Sequence, residues 1–185
     1  MSLPELSINQ TVRQSQRIAI VGTSGSGKTT LARQISQQLE IPHIELDALH
    51  WEPNWLEAPI DIFQARVTEA LRGDRWVVDG NYSKVRDIIW RRADTIVWLD
   101  YAFPVVLGRL MKRTIWRVTT RQELWNGNRE GLRETFSQDS IVLWMLRTHW
   151  QHRKTYPLLF QQPEHAHLKV VRLSSPQKTQ RWLKG

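Results

Sequence analysis

Apolar residues follow two rhythms along this chain. Short unbroken runs rich in β-branched residues alternate with longer stretches in which apolar positions recur every three or four residues. Residues 17–21, 43–47, 76–79, 95–100 and 168–173 are of the first kind and predict five strands. Residues 29–39, with Leu31, Ile35 and Leu39 in register, are of the second kind. They predict a helix, as do 60–71, 85–92, 105–119, 139–156 and 176–183. Pro53 and Pro59 break up the segment between the second strand and the second helix, and residues 125–128 carry the Trp-Asn-Gly-Asn signature of a loop. Residues 1–16 are polar and without period, so they predict a flexible arm ahead of one domain spanning 17–185. Strands alternating with helices predict an α/β domain whose parallel sheet is covered on both faces.

In such sheets ligands collect at the carboxyl ends of the strands. Asp47, Asp79 and Asp100 each stand at a predicted strand end. One aspartate there is an ordinary cap or turn residue; three suggest a shared site. At the end of the first strand, Gly22-Thr23-Ser24-Gly25-Ser26-Gly27-Lys28-Thr29 matches the P-loop pattern, with a strand before it and a helix after it. Glycines let successive backbone N–H groups converge on phosphate oxygens, and the helix N-terminus adds positive charge. In this pattern Lys28 bridges the outer phosphates and the Thr29 hydroxyl binds Mg²⁺, with Thr30 completing the segment. The expected cofactors are therefore ATP and Mg²⁺. The chain has neither the N-K-x-D motif of guanine specificity nor the L-S-G-G-Q of ABC proteins. Its five predicted strands leave little room for a motor core.

Composition changes this picture in two ways. The net charge is +8, and +6 of it lies between residues 101 and 154, where eight of ten basic residues are Arg. Arg suits bidentate contact with phosphate. There are also ten Trp, more than a core of this size needs, and no Cys, which excludes disulfides and thiolate metal sites. The absence of Cys, of an apolar run of membrane-spanning length and of a secretory pattern at the start fits a cytoplasmic protein away from membranes. H-x-x-H at 149–152 and H-x-H at 165–167 lack a carboxylate frame and do not make a metal site.

Several stretches carry a family resemblance: GTSGSGKTTLA at 22–32, IPHIELDALHW at 41–51, WVVDGNYS at 76–83, RADTIVWLD at 92–100 and GRLMKR at 108–113. Together they resemble the P-loop kinases of the adenylate-kinase type, and among them the DNA topology modulation proteins of the FlaR type. The resemblance implies a three-layer P-loop NTPase fold, a five-stranded parallel sheet flanked by helices with an Arg-rich helical lid at about 109–153. It also implies roles. Asp79 holds the magnesium water shell. Arg109 stacks on the ATP base and Arg113 contacts phosphates. Arg117, Arg121 and Arg129 belong to the lid, with Arg117 toward the substrate. Arg147 or Arg153 clamps the transferring phosphate, and residues 174–177 cover the adenine. After Asp79-Gly80 the chain departs from adenylate kinases, with Asn81-Tyr82-Ser83 in place of F-P-R. The arginine for an acceptor phosphate is absent there, which argues against AMP; Arg86 is the nearest substitute.

On the acceptor side, Asp47 stands where small-molecule kinases place an acceptor-binding acid, the alternative being a helix cap. His50 reads as a packed or solvated side chain. Trp51 and Trp55 form either an aromatic acceptor wall or core, while Trp144 and Trp150 read as helix packing. The expected activity is transfer of the ATP γ-phosphate to a small nucleotide, nucleoside or other hydroxylated acceptor. The alternative is a nucleotide-dependent regulator whose basic, Trp-bearing third grips DNA or RNA.

Overall fold

The computed structural model describes residues 14–129 and 141–184, with the backbone alone for 141–146. Five strands form one parallel sheet in the order β2 (His43–Glu45), β5 (Trp76–Asp79), β1 (Arg17–Gly22), β6 (Thr95–Leu99), β7 (Lys169–Leu173). β1 lies at the centre, paired to β5 and β6 with Ile20 opposite Asp79 and Gly22 opposite Leu99. The sequence order reverses on either side of β1, so a crevice opens above its carboxyl end.

Central strands are buried on both faces, which is why their sequences are continuously apolar rather than alternating. Ile18, Ile20, Val77, Val97 and Leu99 pack against α1 (Lys28–Leu39), α5 (Phe103–Thr120) and α7 (Pro176–Lys184). Ala19, Val21, Val78, Ile96 and Trp98 pack on the opposite face against α3 (Ile60–Ala70), α4 (Arg86–Arg92) and α6 (Ile141–Phe160). The three-layer α/β fold expected from the pattern is thus the observed one. Four Trp (76, 90, 98 and 182) are at most 4% exposed and belong to these two cores. Trp150, expected to pack, is 56% exposed, with Phe103, His149 and the Arg153 guanidinium around its ring, while the Trp144 side chain lies outside the described residues.

Three differences from the sequence pattern bear on the site. The second strand stops at Glu45, and Leu46–His50 coils into a short helix, α2. Leu46 turns inward against Gly80, where a Cβ would sit 2.8 Å from the Leu46 side chain at φ +142°. Asp47 is therefore a first-turn helix residue, not a strand end. Next, Trp51–Glu52 (β3) and Leu56–Glu57 (β4) form a small antiparallel hairpin where the two prolines suggested only a break. Its tip turns through Asn54 and Trp55, both at positive φ. Finally, the chain is fixed from Ser15 onward: Ser15 Oγ bonds Thr95 Oγ1 (2.7 Å) and the Gln16 N–H donates to Asp94 (2.9 Å). The rest of the expected arm, residues 1–13, lies outside the described residues, as do 130–140 of the expected lid. Among the described residues no helix is long and apolar enough to cross a membrane.

Candidate functional site

The P-loop joins β1 to α1 at the middle of the sheet. Gly25 is at φ +85°, and a Cβ there would lie 2.7 Å from the Val106 carbonyl oxygen, so the loop rests directly on α5. Gly27 caps α1 in a left-handed conformation, and the following helix turn begins at Lys28. The Ser26 N–H closes a turn onto Thr23 O (3.0 Å). Thr29 is partly buried in the first helical turn, Ser24 is partly buried, and Thr30 is exposed.

Lys28 folds back on the loop, with Nζ donating to Gly22 O (2.8 Å) and Thr23 O (3.4 Å). Burial pulls its pKa down; the charges of Asp79 and Asp47 oppose this, and Arg113 reinforces it. Lys28 thus shares its electrostatic surroundings with two carboxylates and one guanidinium that are distant in sequence. Asp79 is 5% exposed, its Oδ1 is 3.7 Å from His43 Nε2, and its Oδ2 has no hydrogen-bond partner among the described residues. Asp47 Oδ1 accepts from the Tyr82 hydroxyl at 2.5 Å. Burial first, then the Asp47 charge, push the Tyr82 pKa above its ordinary value, so Tyr82 remains a donor.

Asn81, which sequence reasoning used only as a departure from a motif, braces the loop. Its Oδ1 accepts from Gly22 N–H (3.1 Å) and its Nδ2 donates to Gly22 O. One residue thereby satisfies both backbone groups of the first P-loop glycine. The partners are 59 positions apart, so no local signal marks them.

The arginines divide. Arg109 lies along the loop, donating to Ser26 O (3.3 Å) with its guanidinium over the Tyr101 ring. Arg113 is partly buried within electrostatic range of Lys28. Arg117 sits over the Trp125 ring (5.8 Å), and Arg86 over Trp90 (5.6 Å), beside a small cavity lined by Gly80, Asn81 and Tyr82. Arg153 Nε donates to Asp100 Oδ1 at 2.5 Å, and Arg172 Nε takes the other oxygen at 2.9 Å. Asp100, 3% exposed, is therefore an anchor between α6 and β7. Arg147 is exposed, Arg121 ends α5 at positive φ, and Arg129 pairs with Glu123 at 3.3 Å. In the segment after β7, Ser175 caps α7 through Lys178 N–H (3.2 Å).

A clasp spans the acceptor side. Residues 121–129, following α5, turn through Asn126 and Gly127 and lie against the hairpin. Asn128 Oδ1 accepts from Trp55 N–H (2.9 Å), and Asn128 Nδ2 donates to Glu52 O (2.9 Å) and Trp125 O (2.9 Å). Asn126 Nδ2 donates to Trp51 O, Trp55 Nε1 to Arg129 O (3.2 Å) and Trp125 Nε1 to Glu45 (2.6 Å). Trp51 and Trp55 meet edge to face at 5.5 Å, so the pair is partly packed against itself. His50 is 3% exposed between Trp51, Phe63 and Tyr82, so of the two states expected of it, packed or solvated, it is packed. His165 and His167 bond backbone oxygens of Leu159 (2.8 Å) and Trp90 (3.2 Å), away from the loop.

A sequence profile described as ABC transporter matches residues 6–71, about a third of the chain and the part that holds the P-loop. No curated protein matches by sequence. Solved structures of kinases do match in fold. A gluconokinase from Sinorhizobium meliloti 1021 superposes with TM-score 0.52 at 20% identity, over 91% of this chain and 90% of that one. A shikimate kinase from Bacteroides thetaiotaomicron gives 0.53 at 13% identity, over 92% and 95%. A sugar kinase from Janibacter sp. HTCC2649 gives 0.52 at 21% identity, over 92% and 93%. The chain thus shares the α/β fold of these kinases and carries the P-loop pattern at residues 22–29.

Proposed function

We propose that the protein is an ATP-dependent phosphotransferase acting on a small hydroxylated acceptor. The observation that carries this reading is the P-loop at the end of β1, with Lys28 Nζ folded onto the Gly22 carbonyl (2.8 Å), beside β5, where the buried Asp79 has an Oδ2 without a hydrogen-bond partner among the described residues. Phosphoryl transfer needs positioning and charge neutralisation more than covalent catalysis, and this set supplies both.

Residues 22–30 bind the nucleotide phosphates through backbone N–H groups, with Arg109 alongside. Lys28 leaves the Gly22 and Thr23 carbonyls for the outer phosphates. The partnerless Oδ2 of Asp79 and the Thr29 hydroxyl suit Mg²⁺, which when bound neutralises charge on the phosphate oxygens. Arg113 stabilises charge on the transferring group. Arg153, steadied by Asp100, remains a candidate for the same role only if it leaves that carboxylate. Asp47 receives the acceptor: Tyr82 holds one carboxylate oxygen and leaves the other for an acceptor hydroxyl. Trp55 walls the acceptor side, while Arg86 and Arg117 are reserves of positive charge for an anionic acceptor. The gluconokinase, shikimate kinase and sugar kinase folds favour an alcohol over a nucleotide monophosphate as acceptor. Within this reading the FlaR-type resemblance names the branch, and residues 109–153 act as the lid.

A panel of sugars, sugar acids, nucleosides and nucleotides with Mg-ATP tests the proposal by ADP release. One acceptor class should stimulate release at least tenfold, and Lys28→Ala should abolish the stimulated rate. Equal stimulation in that variant would refute it.

A second reading is favoured by one observation: Trp116 is 63% exposed on α5, among Lys112, Arg113 and Ile115. An exposed indole beside cations suits stacking on a nucleic-acid base. That reading requires affinity for single strands that falls steeply with salt.

A further inference from the structure

Helix α6 turns His149 toward the phosphate loop, although arginines were expected there, and His152 on the next turn lies within electrostatic range of Lys28. Arg147 is exposed and Arg153 is bound to Asp100. His149, His152 and Tyr156 share one face at i, i+3 and i+7. His149 is 2% exposed, its Nδ1 is 3.4 Å from Thr23 Oγ1 in the P-loop, and Phe103 holds its ring edge on. His152 lies flat on the Tyr156 ring at 4.8 Å and 7°, which fixes its plane. Two buried ring nitrogens, Nε2 of His149 and Nδ1 of His152, have no hydrogen-bond partner among the described residues. Two such atoms on adjacent turns beside a phosphate loop are poorly explained by packing, because an unpaired buried N–H or lone pair costs stability.

Burial and the charges around them hold both rings below the ordinary imidazole pKa. Lys28 from α1, Arg86 from α4 and His149 from its own helix face His152. Arg153 and Asp100 face His149, the first opposing and the second favouring protonation. Burial is the leading cause for both, and it combines with these cations to bring His152 down to about 4. An anionic phosphate entering the loop reverses the local sign of charge. It also draws Lys28 off the Gly22 and Thr23 carbonyls.

We propose that His149 and His152 are phosphate ligands, donating N–H bonds to the nucleotide's terminal phosphate oxygens, and that the site takes up a proton from solvent when the nucleotide binds. This rests on the reading of the loop as a nucleotide site. When the Thr23 hydroxyl donates to Nδ1 of His149, the ring hydrogen sits on the partnerless Nε2 and is available to the phosphate. Protonation of His152 adds a positive charge beside Lys28 only when the anion is present.

The test uses the full chain and Mg-ADP. Calorimetric titration at pH 6.5 in two buffers of different ionisation enthalpy counts the protons taken up. Wild type should take up as much as about one proton per nucleotide, and its affinity should fall by up to about tenfold per pH unit as pH rises from the free-state His152 pKa of about 4 toward its higher bound-state value. His152→Asn should lose the uptake and flatten that dependence, whereas His149→Gln should bind more weakly and keep it. The nucleotide's own titration is common to all three and cancels in the comparison. Imidazole carbon shifts of the wild-type protein give the same answer without a variant. The His152 titration should lie below pH 6 in the free protein and move above it with Mg-ADP. Nucleotide binding with identical proton uptake in wild type and His152→Asn, unweakened binding in His149→Gln, or an unmoved His152 titration overturns the proposal and leaves the nucleotide reading standing. Failure of wild type to bind Mg-ADP overturns both.

Discussion

Removing the Asn128 side-chain amide should open the clasp without unfolding the protein. Asn128 is 4% exposed and makes three side-chain hydrogen bonds, two of them across to the hairpin at Trp55 and Glu52. At about 1 kcal/mol for each of the three bonds, with water able to reach the part-buried Trp55 N–H, Asn128→Ala should cost about 2–4 kcal/mol locally. The remaining contacts of Asn126, Trp55 and Trp125 are on or near the surface and weaker in effect. The two large cores do not include Asn128, so the loss should fall on local opening rather than global unfolding. Native-state hydrogen exchange measures this. Protection at the Trp55 amide should drop roughly 30- to 1,000-fold, since every 1.4 kcal/mol is about a factor of ten. Protection in β1 and β6 should be unchanged. Trypsin should cut after Arg121 correspondingly faster. Protection at Trp55 within about threefold of wild type would refute the bookkeeping. An equal loss throughout the sheet would refute the claim that the clasp opens on its own.

Other expectations follow from particular contacts. Gly25→Ala forces a Cβ to 2.7 Å from the Val106 oxygen at φ +85°, so it should cost about 1–3 kcal/mol and abolish nucleotide binding, read by thermal melts with and without nucleotide. Tyr82→Phe removes the hydroxyl that holds Asp47, so steady-state kinetics should show acceptor KM rising severalfold or more with nucleotide affinity unchanged. Acid should destabilise the fold through His152. Its folded pKa is lowered to about 4 from an ordinary 6.5, so the unfolded chain binds more protons between those values. The contribution is complete above pH 6.5 and is lost as pH falls toward 4. It amounts to at most about 3 kcal/mol, visible in urea midpoints across that range.

The sheet and the phosphate loop were written locally. β1 is a continuous apolar run because it is covered on both faces, and Gly22, Gly25 and Gly27 stand where backbone geometry and close packing demand them. The apolar run and the spacing of the glycines lie within a few positions of each other, so pattern alone finds them, although what Gly22 and Gly25 pack against, Leu99 and Val106, is distant in sequence. Asp47 shows where that stops. The run from His43 reads as a strand through Asp47, but Leu46 turns helical against Gly80, 34 positions away, and carries Asp47 to Tyr82. The same holds for Asn81 on Gly22, Asn128 on the hairpin and His149 on Thr23, each a short polar contact between residues 59 or more positions apart. Arg153 is the converse case: a cation whose charge suited a phosphate is held by Asp100, whose other carboxylate oxygen accepts from Arg172. Residue type and spacing determined which strands, helices and loop would form. Only the tertiary structure decided which polar side chains meet, because a hydrogen bond or ion pair is set by separations of a few ångströms in space.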